Sequence, residues 1–270
     1  MSTVVDIAAF SAQISERTIW TFVRVRDAAG RCGWGEATLQ GEAAAIHAHV
    51  ERLTPTLVGQ PLKSSLETAP AIGAQAGSMA EAAAISAIDQ ALCDVSAQAQ
   101  GRALADTLGK QRRAAIELYA NVNRGTVDRT PSGFAVRAQE AASRGFDAIK
   151  IAPFDDVRPE SAETPAGRRL LALGVERVAA VRSAIGPDRR LLVDCHWRLT
   201  EASTRELLRQ LEPVQLYWLE CPLLEQPSMF PALRRLRSRA NAIGVRLAGC
   251  ETMTGLDAFR TFLDAGVYDV

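Results

Sequence analysis

Residues 191–199 read LLVDCHWRL. Leu191, Leu192 and Val193 form the apolar run of a buried strand, and the chain then turns polar at Asp194, His196 and Arg198. Helical spacing follows in TEASTRELLRQL (200–211), and the same strand–helix unit recurs on both sides. ELYANVN (117–123) precedes TPSGFAVRAQEAASRG, and FDAIKIA (146–152) precedes, after a polar loop over 153–168, GVERVAAVRSAIG. QLYWLECPL (215–223) precedes MFPALRRLRSRANAIG, VRLAGCE (245–251) precedes GLDAFRTFLDAG, and VYDV begins one more strand. Alternation of this kind requires a parallel sheet, doubly wound or closed as a barrel. Neither Gly-x-Gly-x-x-Gly nor Gly-x-x-x-x-Gly-Lys-Ser/Thr occurs, so a nucleotide-binding sheet has little support.

The first part of the chain follows other rules. TIWTFVRVRD alternates apolar and polar residues, AAG supplies a turn and RCGWGEA returns, which predicts antiparallel strands within residues 1–38. Residues 42–110 are Ala-rich with helical spacing, and Gly101 is a helix stop. His47 and His49 lie two apart on a predicted helix, face different sides and cannot share a metal. The chain therefore divides into an α+β domain over 1–114 and a strand–helix domain over 115–270.

Composition excludes several function classes. The 270 residues carry 31 Lys plus Arg and 31 Asp plus Glu, so nothing in the charge points to a nucleic acid or an anionic membrane. The basic run ALRRLRSRA (232–240) reads as the solvated face of a helix. No apolar run approaches the roughly 20 residues of a membrane span, and MSTVVDIAAF has no signal-peptide pattern. Five scattered cysteines without a Cys-x-x-Cys pair read as reduced thiols of a cytoplasmic protein.

Three successive strands end in a carboxylate: Asp194, Glu220 and Glu251, each about one repeat after the last. In a parallel barrel these lie side by side at the face where active sites are built. Clustered anions repel unless a cation sits among them, and all-oxygen ligands favour Mg²⁺ first and Mn²⁺ second. Strand alternation sends His196 to the same face as Asp194, and Cys195 to the helices. Lys150 shares a face with Ala152, and an inward Lys on a buried strand needs an anion beside it.

Together with Trp34-Gly35-Glu36 and AISAIDQALCDVSAQAQGRAL (84–104), the stretches GFDAIK (145–150), GVERVAAVRSAIGPDRRLLVD (174–194), WLECPL (218–223) and LAGCETMTG (247–255) resemble the enolase superfamily. The resemblance is to the mandelate racemase-like branch and its acid-sugar dehydratases, over essentially the whole chain. It implies a TIM-type (β/α) barrel behind an N-terminal α+β capping domain with specificity loops, near Phe10–Arg17 and Gln40 here. It also implies Mg²⁺ held by Asp194, Glu220 and Glu251, and Lys150 and His196 as catalytic groups. Asn123 and Arg198 are candidates for substrate contact. The implied reaction removes the α-proton of a sugar acid, passes through an ene-diolate and expels the β-hydroxyl with a proton from His196.

Two departures qualify the resemblance. The branch commonly carries Lys-x-Lys on the second strand, and here Ala152 stands where the second Lys, a base, is expected. The α-proton base is then a residue beyond Val270, a group of the 153–168 loop, or His196 itself. The chain also stops just inside its sixth strand, whereas a whole barrel takes about 250 residues. A longer, homo-oligomeric native protein is expected, and the 270-residue chain is expected to expose strand edges, to associate and to show little activity. The alternatives to a dehydratase are an epimerase, racemase or other lyase of the superfamily, or an inactive member.

Overall fold

The computed structural model describes residues 2–16, 18–62 and 76–270. Arg17 of the expected specificity loop, and residues 63–75 of the expected helical stretch, lie outside the described residues. The chain separates into two compact units, Met1–Ala115 and Ile116–Val270.

In the first unit, β1 (Val4–Ser15), β2 (Thr18–Asp27) and β3 (Cys32–Glu36) form an antiparallel sheet in that order. The alternation in TIWTFVRVRD turns Thr21, Val23 and Val25 inward. There Val23 and Val25 pack with Ile46, Val50 and Leu53 of α1 (Ala43–Leu57) and with Ala87, Ile88 and Ala91 of α2 (Met79–Ala99). Gly101 follows α2 at a φ of 64°, as a helix stop requires. A four-residue helix, α3 (Leu104–Thr107), comes next. The β2–β3 turn is locked by the buried Asp27, whose carboxylate accepts from the amides of Ala29 and Arg31 and from the Arg31 guanidinium.

Strand β3 lies flat against α2 because it has no side chains on that face. A Cβ on Gly33 would stand 2.1 Å from the Ala91 carbonyl oxygen, and one on Gly35 2.0 Å from that of Ala87. The Trp34 and Glu36 amides donate to Asp94 Oδ2 and Gln90 Oε1 of the same helix, so polar side chains cover that edge of the sheet.

The second unit is a parallel sheet in sequential order: β4 (Ala120–Asn121), β5 (Ala148–Ile151), β6 (Arg190–Asp194), β7 (Trp218–Glu220) and β8 (Arg246–Ala248). Its helices are α4 (Pro131–Ser143), α5 (Pro165–Ile185), α6 (Glu201–Leu211), α7 (Phe230–Ala242) and α8 (Leu256–Ala265). Ile149, Ile151, Leu191, Val193, Leu219 and Leu247 join the helices in one core. Period-two alternation puts Lys150, Asp194, Trp218 and Glu220 on the opposite face. The register pairs Lys150 with Leu192, Leu192 with Trp218, and Asp194 with Glu220. This is the (β/α) pattern of a TIM-type barrel, incomplete in this chain, preceded by an α+β unit.

Several expected elements differ in extent. The first parallel strand shrinks from 117–123 to Ala120–Asn121. Helix α5 begins nine residues before the expected Gly174, because Thr164 caps it by accepting from the Gly167 amide and Pro165 occupies a first-turn position. Arg168 therefore lies on a helix, not in the preceding loop. Gly174 remains inside it, where the Phe154 ring takes the space of a Cβ, 2.2 Å from its position. VYDV forms no regular strand, although the Asp269 amide donates to the Leu247 carbonyl at 2.7 Å and the Gly249 amide to that of Val270 at 3.2 Å. The basic run lies on α7 with Leu233, Leu236 and Ala240 buried, while Arg235 pairs with Glu201 and Arg237 with Asp269. Among the described residues no helix is long and apolar enough to cross a membrane.

Gly35→Ala drives a methyl group into the α2 backbone, which cannot yield as a side-chain tip does. We expect a loss of about 1–3 kcal/mol in chemical denaturation. A change below about 0.5 kcal/mol, ordinary for a neutral surface substitution, would contradict the packing described.

Candidate active site

Lys150 is the buried centre of the inner face, with 7% of its surface exposed. Its Nζ donates to Glu220 Oε1 at 2.8 Å and Oε2 at 3.0 Å, and lies 3.5 Å from Asp194 Oδ2. Burial works against the ammonium charge, but Glu220 and then Asp194 outweigh it, and Lys150 is held protonated well above the ordinary lysine range. The Tyr119 ring lies 5.3 Å from Nζ and meets Trp218 edge-on at 5.9 Å. Trp218 in turn donates its indole N–H to Glu220 Oε2 at 3.0 Å. Sequence reasoning missed both aromatics; the place of Trp218 two residues before Glu220 on one strand was the available signal for it.

His196 reaches Asp194 by a route other than strand alternation. β6 ends at Asp194, and His196 and Trp197 both adopt left-handed backbone conformations, with φ of 47° and 57°. Such residues cost about 1–3 kcal/mol each and persist only where neighbours hold them. Here the Cys195 amide donates to the Glu220 carbonyl at 2.9 Å and the Trp197 amide to that of Cys221 at 2.7 Å. Asp194 closes the turn on itself. Its Oδ1 accepts from the His196 amide at 3.0 Å and its Oδ2 lies 3.1 Å from His196 Nε2. Cys195 is fully buried in the helix-side core, as alternation predicts.

The hydrogen bond to Asp194 raises the His196 pKa against the opposing effect of burial. Burial would raise the pKa of Asp194, yet His196 and Lys150 hold it below the usual carboxylate range. Glu251 lies past the end of β8, in a turn that Cys250 enters at a φ of 75°. Although Glu251 is exposed, its pKa is raised, first by partial desolvation of its carboxyl and then by the charge of Asp194.

Glu251 links two groups of donors. One atom each from Asp194, His196 and Glu251 lie within 4.8 Å of one another, and so do one each from Glu220, Cys221 and Glu251. Cys221 is buried and its thiol pKa is pushed far up, first by burial and then by the surrounding carboxylates, so it stays protonated. The structure thus brings Lys150, Asp194, His196, Glu220 and Glu251 together at the strand ends, in an arrangement that can hold a cation beside a proton-carrying imidazole.

Asn123 and Arg198 are engaged elsewhere. Asn123 Oδ1 accepts from Arg129 at 2.9 Å, and Arg198 donates to the carbonyls of Asp155 and Val157. Arg129 also donates to the Ala152 carbonyl at 2.8 Å, and the buried Arg177 to that of Pro153 at 2.6 Å. Three arginines therefore tie down the loop after β5. Within the expected 153–168 loop, Arg168 is taken up at the start of α5, donating to the Glu163 carbonyl.

Comparison with known proteins agrees with this geometry. Residues 133–270 match the family model for the enolase C-terminal domain-like fold, and residues 5–109 that for the mandelate racemase / muconate lactonizing enzyme N-terminal domain. The chain belongs to the enolase superfamily, in its mandelate racemase-like branch.

Among curated relatives of this superfamily member, it is similar to a D-gluconate dehydratase of Thermoproteus tenax, at 34% identity over 72% of this chain and 37% of that protein. It is also similar to a D-galactonate dehydratase of Xanthomonas oryzae pv. oryzae, at 29% identity over 92% of this chain and 62% of that protein. The chain thus spans less than two thirds of either relative. A solved enolase superfamily structure from Salmonella Typhimurium shares the fold, with a TM-score of 0.82 at 22% identity over 99% of this chain and 72% of that one.

The Asp194–His196 contact makes a signed prediction for the metal-free protein. The His196 imidazole should titrate above its ordinary value of about 6.5, and Asp194→Asn should bring it down, as followed by NMR of the ring nitrogens. Because the folded His196 pKa is the raised one, the stability its protonation adds is complete below about pH 6.5, while Asp194 stays ionised, and disappears as pH climbs through the folded value. The reverse trend would show that Asp194 does not carry the interaction.

Proposed function

We propose that this chain carries the catalytic centre of a Mg²⁺-dependent acid-sugar dehydratase. The observation that carries the reading is the 3.1 Å contact of His196 Nε2 with Asp194, which sets a proton carrier directly beside carboxylates able to hold a cation. The dehydratase names of the two curated relatives support it and suggest an aldonic acid, a small carboxylate, as the substrate class.

The residues fit a hard divalent cation. With the Cys221 thiol protonated, the carboxylates of Asp194, Glu220 and Glu251 would hold it, Glu251 being common to the Asp194–His196–Glu251 and Glu220–Cys221–Glu251 groups. Glu251, raised by partial desolvation and by the neighbouring anions, is the carboxylate that a cation would relieve. When bound, Mg²⁺ would supply fixed positive charge against the carboxylate of the substrate.

The chain's own groups then divide the work. Lys150, locked as an ammonium, adds positive charge where the substrate carboxylate becomes more negative as its α-proton leaves. In this structure Glu220 and Asp194 hold it as an ammonium, which serves as a positive charge rather than a base, and Ala152 offers no polar side chain. Within the cluster, neutral His196 is the group the geometry supports as acceptor of the α-proton. It returns that proton to the β-hydroxyl as the C–O bond breaks, water departs and the resulting enol tautomerises to a 2-keto-3-deoxy acid. The imidazole ends as it began.

Gluconate and galactonate are the substrates to assay, with 2-keto-3-deoxy acid formation as the readout. Chelation should abolish turnover and Mg²⁺ restore it. His196→Asn should lower turnover by about 10²–10⁴-fold while leaving Mn²⁺ affinity nearly intact. Turnover that survives this substitution, or resists chelation, would overturn the proposal.

A further inference from the structure

Two of the three candidate metal ligands adjoin residues with strained backbone. Cys221, directly after Glu220, has a φ of 43°, and Cys250, directly before Glu251, a φ of 75°. Neither ligand is secured by a strand on that side: β7 ends at Glu220, and β8 ends three residues short of Glu251. Something else must hold both turns.

Glu225, half-buried in the loop after β7, touches both. Its Oε1 accepts from the Cys250 amide, and the Cys221 thiol donates to the same oxygen at 3.8 Å. Its Oε2 accepts from the Thr252 hydroxyl at 3.3 Å. One carboxylate thus fastens the residue after Glu220 and the residues on both sides of Glu251. Gly249 makes room for it: a Cβ there would lie 2.6 Å from Glu225 Oε1 and 2.3 Å from Cζ of Tyr268.

We infer that Glu225 is a positioning residue of the metal centre, setting Glu251 against Glu220 by hydrogen bonds to the turns that carry them. The inference rests on the proposed metal-site reading and adds a residue outside the donor groups. The buried Lys150–Glu220 pair already fixes one side of the cluster, so the adjustable side is the turn of Glu251. A ligand on a turn keeps its aim only if the turn has one conformation, and outer hydrogen bonds of this kind typically change metal affinity about 10–100-fold.

The test is Mn²⁺ affinity, from the free-ion EPR signal, of the wild-type chain and of Glu225→Ala and Glu225→Gln. Gln keeps an acceptor for the Cys250 amide and a donor for the Thr252 hydroxyl, and should bind within about threefold of wild type, whereas Ala should bind about tenfold or more weakly. Wild-type affinity in Glu225→Ala would overturn the inference. Equal losses in Ala and Gln would overturn it too, since charge rather than hydrogen bonding would then be responsible. Should Glu225→Ala fail to fold, Gly249→Ala displaces the carboxylate without removing it, and must weaken binding for the inference to stand. A wild-type chain that binds no Mn²⁺, matching Asp194→Ala, would instead sink the metal-site reading itself.

Discussion

The ammonium of Lys150, held against Glu220 and beside Asp194, is the constraint on which the parallel sheet turns. A buried charge left unpaired costs several kcal/mol, so the sheet must bring carboxylates to it. Glu220 lies two strands away, and the Lys side chain reaches it across Leu192 of β6. That reach works in one register only. A one-residue slip of β6 or β7 would turn Asp194 or Glu220 into the helix-side core and strand the ammonium.

The cost of so much charge at one place is met by backbone as well as by side chains. His196, Trp197, Cys221 and Cys250 are left-handed, and all lie within three residues of a clustered carboxylate. β6 and β7 end in a carboxylate, β8 stops shortly before one, and the chain then twists sharply. Amides freed by the twist find carbonyls of the next strand: Cys195 to Glu220, Trp197 to Cys221, and Cys221 to Ala248. The turns therefore support one another in series around the sheet.

The loop after β5 shows the same economy with positive charge. Arg129, Arg177 and Arg198 all donate to its backbone carbonyls, and Arg129 reaches Asn123 as well. Residue type alone marked Asn123 and Arg198 as groups that bind a polar substrate. In the fold Arg198 donates to the carbonyls of Asp155 and Val157, and Asn123 Oδ1 accepts from the Arg129 guanidinium, an environment that no local pattern of sequence describes.

What the sequence by itself determined is the repeat and its chemistry. Apolar runs of strand length, separated by amphipathic helices, permit only a parallel sheet, and the carboxylates that close three successive runs announce where the solvent-facing end lies. Alternation then sorted Lys150, Asp194 and Glu220 onto one face, because period two is a property of the extended chain itself. Alternation could not place His196, which lies beyond the strand and reaches Asp194 through two left-handed residues. Nor could it show Trp218 and Tyr119 around the Lys150–Glu220 pair. Those features depend on atoms from segments far apart in the chain. Hydrogen bonds between neighbouring strand ends stabilise backbone conformations that each segment alone would avoid, and only the folded sheet supplies those neighbours.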